Sequence, residues 1–475
     1  MDTVPETSSA ARRALRLGLS AAKWIVVLSG GVLLLVGLVN LRDEELTPEA
    51  QALAEFQRPP LPEGQNAYLA LVGFDAPMGV DPIAAGIQVV TEHEVSSVTD
   101  PLGAKRVERI ANAGAWPVRD GHLKFVGDTS TMCDPISKPC LQPSPTDAKQ
   151  LRAMAEANKQ LIARYLDLQH MTGYANTSVP DPLQPMPSGG WRQTRNLLLT
   201  QASLDGLSGK EDQALAFLAA DLAFWRRVLG TDSQMIDEMI AVRVLASDLA
   251  LLSELIATPS FDVREHMAQL RRMLAPLTPA ERNAGRMFKR EFASWARLIV
   301  VNHEGATRSE DNDWANRYAS RLLWKKSASL NDAARFFTLL QTLGSHPPAD
   351  FSRLRRELEI ASKMSGPGIA WTYNPIGKML VRIGVPAYPD FVARVFDLAA
   401  YVQLVRAQLE VRLAALPSES VPAFLASAGP EARNAYSDQP FNWDAANRML
   451  SFEPMSQHVW PGWHFKASVP PPMLR

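Results

Sequence analysis

Apolar residues recur at every third or fourth position over most of this chain, a spacing that predicts a mainly α-helical protein. In the segment 233–257 one helix face would carry Met235, Met239, Val242, Leu245, Leu249, Leu252 and Ile256. The segment 211–229 repeats the pattern, and the turn at 207–209 before it predicts a helical hairpin with 191–207. Because each apolar stripe needs a partner, we expect a multi-helix antiparallel array.

Other parts of the chain complete this outline. Proline and glycine breaks separate further predicted helices at 66–74, 81–94, 261–274, 279–301, 328–343, 348–364 and 389–415. The segment 123–126 (LKFV) predicts a short strand. Near the C-terminus, 436–443 followed by 449–452 predicts a small β-hairpin-like element.

One N-terminal segment has a different character. Residues 24–41 read WIVVLSGGVLLLVGLVNL and contain no charge over 18 residues. As a helix this segment would span roughly 27 Å at about 1.5 Å per residue, which is enough for the apolar core of a bilayer. With Lys23 at its edge, it predicts a single transmembrane anchor at 23–41.

The distribution of basic residues around the anchor predicts its orientation. The N-terminal side carries Arg12, Arg13, Arg16 and Lys23, whereas Arg42 and Arg58 follow on the C-terminal side. By the positive-inside rule the N-terminus stays in the cytoplasm and the bulk of the chain is periplasmic. The alternative is a cleaved signal peptide. However, 39–41 (VNL) offers no small-x-small cleavage site, and 50–52 (AQA) lies about ten residues too far along.

These patterns together predict how the chain is organised. The predicted parts are a cytoplasmic tail at 1–22, the anchor at 23–41, a stalk at 42–62, a mixed region with a disulfide loop at 63–145, a helical domain at 146–416, and a C-terminal hairpin with an aromatic and proline-rich tail at 417–475.

Composition and charge bear on whether the chain binds nucleic acid. The chain has 475 residues, of which 46% are apolar and 21% charged, and its net charge is −1. Such values are typical of a folded protein. The basic residues are scattered and give no positive footprint, so we do not expect a nucleic-acid partner. Arginine outnumbers lysine, as in proteins from GC-rich bacterial genomes.

The two cysteines, Cys133 and Cys140, frame the sequence CDPISKPC. Asp-Pro and Lys-Pro steps favour a compact turn. In an oxidising compartment such a pair predicts a structural disulfide. A metal or redox pair is the alternative, but a C-x6-C spacing matches neither a CxxC motif nor a four-ligand zinc site.

Searches for catalytic motifs yield nothing specific. The chain has no HExxH, no Glu-x-x-His and no G-x-S-x-G, and 206–210 lacks the spacing of a phosphate-binding loop. We therefore predict no catalytic residue, no cofactor and no metal.

Two acidic residues stand out because they fall on apolar helix faces. Glu238 lies within the stripe of 233–257, and Glu291 lies on the apolar side of 279–301. A buried carboxylate must find a cation or donors, or take up a proton. Arg226 and Arg243 are the possible partners. The first interpretation is an internal ion pair; the alternative is a general acid of raised pKa in a cleft, as enzymes on sugar polymers use.

The C-terminal tail contains Trp460, Trp463 and Phe465. Docked on the domain, these residues would fasten the C-terminus. Exposed, they would form a patch for a partner or for the membrane surface.

Several stretches resemble a loose group of uncharacterised bacterial envelope proteins with an N-terminal anchor and a helical ectodomain. They are LLLTQASLDGLSGKEDQALAFLAADLAFWRRVL, SQMIDEMIAVRVLASDLALLSELI and YSDQPFNWDAANRMLSF. The last is similar to the closing hairpin of those proteins and of some pseudopilin-like domains, although Ser437 and Asp438 replace the usual Asp-Pro. The resemblance covers 190–300 and 395–455. It implies an anchored helical envelope protein and no particular catalytic residue.

We therefore expect a non-enzymatic scaffold or protein-interaction module of the bacterial inner membrane, with another envelope protein as its partner. One alternative is an envelope hydrolase acting on cell-wall glycan or peptide. Another is an accessory component of a secretion or pilus system. A hydrolase would show a concave site lined by carboxylates or histidines, whereas a scaffold would show an exposed apolar groove.

Overall fold

Helices dominate the chain, as the apolar spacing predicts. The computed structural model describes residues 7–55, 57–99, 121–137, 139–141, 148–181, 189–308, 314–364, 369–384, 387–456 and 465–472. The helices from the N-terminus to the middle of the chain are α1 (Thr7–Val39), α2 (Pro48–Ala54), α3 (Ala67–Val72), α4 (Pro82–Thr99), α5 (Ala148–Ala157), α6 (Lys159–His170), α7 (Gly190–Leu207), α8 (Glu211–Leu229) and α9 (Met235–Ala257). The helices that follow are α10 (Met267–Met273), α11 (Pro279–Arg282), α12 (Met287–Arg308), α13 (Trp314–Leu323), α14 (Lys326–Ser345), α15 (Phe351–Met364), α16 (Pro375–Gly384), α17 (Tyr388–Ala414) and α18 (Val421–Ala426).

A small antiparallel sheet closes the C-terminal part. Its strands are β1 (Asn442–Asp444), β2 (Met449–Ser451) and β3 (Lys466–Ser468), in the order β1-β2-β3. Leu450 pairs with Trp443 on one side and with Ala467 on the other. The β1–β2 hairpin confirms the prediction for this region. The third strand was not predicted, because its three residues lie in a proline-rich tail that has no alternating pattern.

The hydrophobic core is built around α9. This helix packs against α8, α12, α17 and β3. One continuous cluster of buried apolar residues extends from Ala50 to Val469. The regions 63–145 and 417–475 therefore share the core of the helical domain.

Most predicted helices are present, and two differences have clear causes. The predicted helix 279–301 is split into α11 and α12, because the side chain of Asn283 accepts a hydrogen bond from the Gly285 nitrogen (3.1 Å) and forms a turn. The segment 123–126 is not a strand. Its last residue, Val126, bonds through both backbone groups to the side-chain amide of Asn158, which takes the place of a partner strand.

The N-terminal apolar helix ends at the domain. Its segment Ala22–Val39 has a mean hydropathy of 2.2 and is long and apolar enough to cross a membrane, and none of it is buried inside the described part of the chain. The residues that follow it do not form a free stalk as predicted. Instead α2 packs against α12 and α14, with Ala50 and Leu53 buried.

Candidate functional site

A cleft of about 1700 Å³ opens on one side of the helical array. Five parts of the chain form its walls: residues 55 and 57–61, the loop 172–175, the face of α8, α10 with the segment that follows it, and the beginning of α12 opposite the end of α14. This volume exceeds the roughly 300–1,000 Å³ of sites for small molecules. The cleft therefore has room for an extended ligand.

Basic side chains outnumber acidic ones in the cleft. The seven basic residues are Arg58, Arg226, Arg227, Arg272, Arg286, Lys289 and Arg290. The three acidic residues are Glu55, Asp232 and Glu281. A concave surface with an excess of one charge attracts ligands of the opposite charge, because its low-dielectric walls concentrate the field. The lining as a whole favours an anionic ligand.

Two arginines of α8 are fixed in place at the cleft wall. Arg226 donates two hydrogen bonds of 2.8 Å to the carboxylate of Glu281, in the paired geometry that suits a guanidinium. Arg227 donates to the backbone oxygens of Gln169 (2.8 Å) and Met171 (3.0 Å), and burial lowers its pKa. Both side chains therefore shape the cleft more than they offer free charge to a ligand.

Two further arginines are Arg286, the residue immediately before α12, and Arg290, in the first turn of α12. Arg286 donates to the backbone oxygens of Gly230 (2.7 Å) and Leu229 (3.1 Å). Arg290 donates to the side chain of Asn176 (2.9 Å) and to Ser178. Both arginines belong to the lining of the cleft, four positions apart in the chain.

One basic residue of α10 and one of α12 in the cleft lining are available to a ligand. Arg272 and Lys289 are exposed, and neither has an ion-pair or hydrogen-bond partner within the described ranges. They stand on different walls of the cleft. They are therefore the side chains that a ligand's anionic groups can reach without displacing an existing contact.

The two acidic residues singled out in the sequence lie behind this wall. Glu238 is only 1% exposed, and neither of its carboxylate oxygens has a hydrogen-bond partner in the part of the chain described here. Burial raises its pKa well above the usual range, a shift that the positive charge of Arg286 opposes. Burial therefore favours the protonated form of Glu238 over the charged form.

Glu291 is close enough to Glu238 for its charge to add to this upward shift. Its Oε1 accepts a hydrogen bond from the backbone nitrogen of Met235 (3.1 Å), at the beginning of α9. Burial raises the pKa of Glu291 to about 7. The structure thus brings the two predicted carboxylates together, but neither belongs to the lining of the cleft.

A third buried acid at this position, Asp237, was missed. Its carboxylate accepts a hydrogen bond from the side chain of Asn176 (3.1 Å), and burial raises its pKa. An acidic residue in the first turn of a helix is so common that the sequence did not single it out. Asn176 also accepts from Arg290, so this one amide links the acids to the cleft wall.

The predicted arginine partners are engaged elsewhere. Arg226 pairs with Glu281, and Arg243 pairs with Asp134 at 3.0 Å. The cations nearest the buried acids are Arg286 and Arg290. Both arginines lie within the predicted helix 279–301, four positions apart and close to Glu291 in the sequence. That spacing could have identified them as partners of the acids.

The cysteine pair lies apart from the cleft. Cys133 and Cys140 form a disulfide, as predicted, with their Cα atoms 5.4 Å apart. The backbone nitrogens of Cys140 and Leu141 donate to the carboxylate of Glu254 over 2.7 and 2.8 Å. Burial raises the pKa of Glu254 to about 7. This acid therefore holds the disulfide loop against α9.

The other predicted features give less information. Over the described ranges, no group of three or more His, Cys, Asp or Glu side chains is placed to hold a metal ion. Trp460 and Trp463 lie outside the described residues, whereas Phe465 is buried beside Tyr401 and Phe452.

The arrangement is suited to binding, since it offers fixed arginines, two free cations and several apolar surfaces around one open cleft. Comparisons with protein-family models, with curated proteins and with solved structures give no match.

Proposed function

We propose that this chain is a membrane-anchored interaction module of the bacterial cell envelope, whose basic cleft holds an acidic segment of another envelope protein. The N-terminus would lie in the cytoplasm, α1 would cross the inner membrane, and the domain would face the periplasm. The observation that carries the proposal is the excess of basic over acidic residues around a cleft of about 1700 Å³.

The mixture of side chains in the cleft supports a peptide as the ligand. Between the basic residues the lining includes the apolar side chains of Leu61, Leu222 and Met273. A peptide can match this alternation with apolar and acidic side chains. A uniformly charged polymer would leave the apolar surface without a partner.

A hydrolase acting on cell-wall glycan or peptide is supported less well. General acid catalysis needs a carboxyl group that reaches the substrate. Glu238 and Glu291 are not part of the cleft lining, and of the three acids that are, Glu281 is held in an ion pair by Arg226. The raised pKa of Glu291 is the remaining argument for this alternative.

The proposal can be tested with the full-length protein in lipid nanodiscs. The probe is a fluorescent peptide of alternating glutamate and leucine, and its binding is followed by fluorescence anisotropy. The same peptide with glutamine in place of glutamate is one control, and inorganic polyphosphate as a competitor is the other. We expect binding of the glutamate peptide alone, weakening as salt is added.

Charge reversal locates the binding site. Arg272→Glu and Lys289→Glu together should weaken binding of the glutamate peptide roughly tenfold or more. Arg356→Glu is the matched control, because Arg356 is exposed on α15 and does not belong to the cleft lining. An equal loss in the control variant would contradict the proposal. If polyphosphate binds more strongly than the peptide, the ligand of the cleft is an anionic polymer and not an acidic protein segment.

A further inference from the structure

Two helices beside the end of the apolar anchor carry exposed apolar and basic side chains together. α13 exposes Trp314 (67%) and Tyr318 (70%), and α16 exposes Met379 (47%) and Ile383 (73%). Each pair is four residues apart, so each lies on one face of its helix. α13 and α16 also pack against each other. Their exposed side chains therefore belong to one region of the surface.

The charges on these helices are of one sign. α13 contains Arg317 and Arg321, and α16 contains Lys378 and Arg382. Neither helix contains an acidic residue. Apolar and aromatic side chains combined with lysine and arginine are typical of helices that lie in the interface of an anionic bilayer.

The position of the two helices relative to the anchor points to the same partner. Asn40, one residue beyond the end of α1, is fully buried and bonds to the backbone of Thr372 and Asn374, immediately before α16 begins. Asn374 in turn accepts a hydrogen bond from the nitrogen of Lys325, just after α13 ends. At about 1.5 Å per residue, neither helix extends more than roughly 16 Å from this junction.

From this placement we propose that α13 and α16 form a membrane-contacting surface that seats the domain on an anionic bilayer next to its anchor. Trp314 and Tyr318 would lie at the level of the lipid headgroups, where tryptophan and tyrosine are enriched. Ile383 and Met379 would enter the region of the acyl chains, and the four cations would contact lipid phosphates. The inference rests on the membrane anchor that forms part of the proposed function.

The surface can be tested by placing a nitroxide label on the full-length protein in nanodiscs. Single cysteines replace Ile383, Tyr318, Met78 or Leu34 in separate variants, with the native disulfide intact. Collisions of the label with oxygen, which is concentrated in lipid, and with a water-soluble nickel chelate report its depth. Met78 is the exposed control in the loop between α3 and α4, and Leu34 lies in the anchor.

We expect the labels at 383 and 318 to be shielded from the nickel chelate several-fold more than the label at 78. If the labels at 383 and 318 are as accessible to nickel as the label at 78 while the label at 34 is in lipid, the proposed membrane-contacting surface is wrong. The membrane anchor is unaffected by that result. Access of nickel to the label at 34 would contradict both the anchor and the surface.

The contribution of the basic residues is tested by the double variant Arg321→Glu, Arg382→Glu. In nanodiscs with anionic lipid, these changes should make the label at 383 more accessible to the nickel chelate, whereas Arg356→Glu should not. Unchanged accessibility in the double variant would contradict the role of the basic residues.

Discussion

The backbone nitrogen of Asn374 donates a hydrogen bond of 2.8 Å to the side-chain oxygen of Asn40. The side-chain nitrogen of Asn40 donates in turn to the backbone oxygen of Thr372. Since Asn40 follows directly on the apolar helix, these bonds make the end of that helix part of the domain. Cleavage after 50–52, at the position considered for a signal peptidase, would remove Asn40 and its contacts.

Replacing Asn40 by alanine should therefore destabilise the domain. The change removes the hydrogen bonds of the Asn40 side chain to the backbone of Thr372 and Asn374 and takes the acceptor from the buried nitrogen of Asn374, which costs about 1–3 kcal/mol. The midpoint of thermal unfolding in nanodiscs measures the loss. Asn302→Ala is the matched control, because Asn302 is exposed and, among the described residues, its side chain bonds to Leu298 of its own helix alone. Equal midpoints for Asn40→Ala and wild type would show that the junction contributes no stability.

Removing the disulfide should also lower the free energy of unfolding. Cys133 and Cys140 are separated by seven positions. Closing so short a loop stabilises the folded state by about 2–3 kcal/mol in the chain-entropy treatment. Denaturant titration of the Cys133→Ser, Cys140→Ser double variant, compared with wild type under oxidising conditions, gives the difference. A reducing agent should lower the stability of the wild type by a similar amount and leave the double variant unchanged.

The buried side chain of Glu291 should make the stability of the protein depend on pH. The pKa of Glu291 is raised from 4.5 to about 7, so the folded state holds its proton more tightly than the unfolded state. Its contribution to stability is complete below pH 4.5 and is lost as the pH rises towards 7. Glu291→Gln mimics the protonated form. It should match the wild type closely below pH 4 and exceed it by roughly 1–3 kcal/mol at pH 8.

Urea unfolding curves at the two pH values measure this difference. The same change at Glu453, which is exposed, is the control, since no burial penalty is relieved there. If Glu291→Gln is less stable than the wild type at pH 8, Glu291 is needed as an anion. That result would revive the interpretation of a structural ion pair.

Two glycines allow α14 to approach the turn before α12 closely. A Cβ atom on Gly344, in the last turn of α14, would lie 2.3 Å from the backbone nitrogen of Gly285. Because backbone cannot move aside as a flexible side chain can, Gly344→Ala should cost roughly 1–3 kcal/mol. Gly189→Ala serves as the control, since a Cβ there meets no atom within 4 Å. Thermal unfolding of both variants decides the matter, and equal midpoints would show that α14 and the turn at Gly285 do not approach closely.

The sequence allowed the long helices to be predicted because their apolar stripes are complete. The stripe from Met235 to Ile256 anticipated the most central helix, α9. The short helices α13 and α16 were missed. They expose apolar residues and surround them with arginines, so their pattern does not show the polar outer face of an ordinary surface helix.

The site was predicted only in part, because most of its contacts join residues far apart in the chain. Glu238 and Glu291 were recognisable as acids on apolar faces. Their neighbours were not, since the position of Arg286 against Gly230 depends on the turn that separates α11 from α12. The basic cleft itself collects residues from 55 to 345, and no local pattern predicts such a collection.

The central claim is that the basic cleft receives an acidic partner in the envelope, and photo-crosslinking in intact membranes tests it most directly. A photoreactive phenylalanine replaces Ala223, which is exposed and lines the cleft, or Ala426, which is exposed and does not line it. The account predicts a discrete adduct from position 223 that disappears when Arg272 and Lys289 are changed to glutamate. An adduct from 223 that persists after charge reversal, or that forms equally from 426, would contradict it.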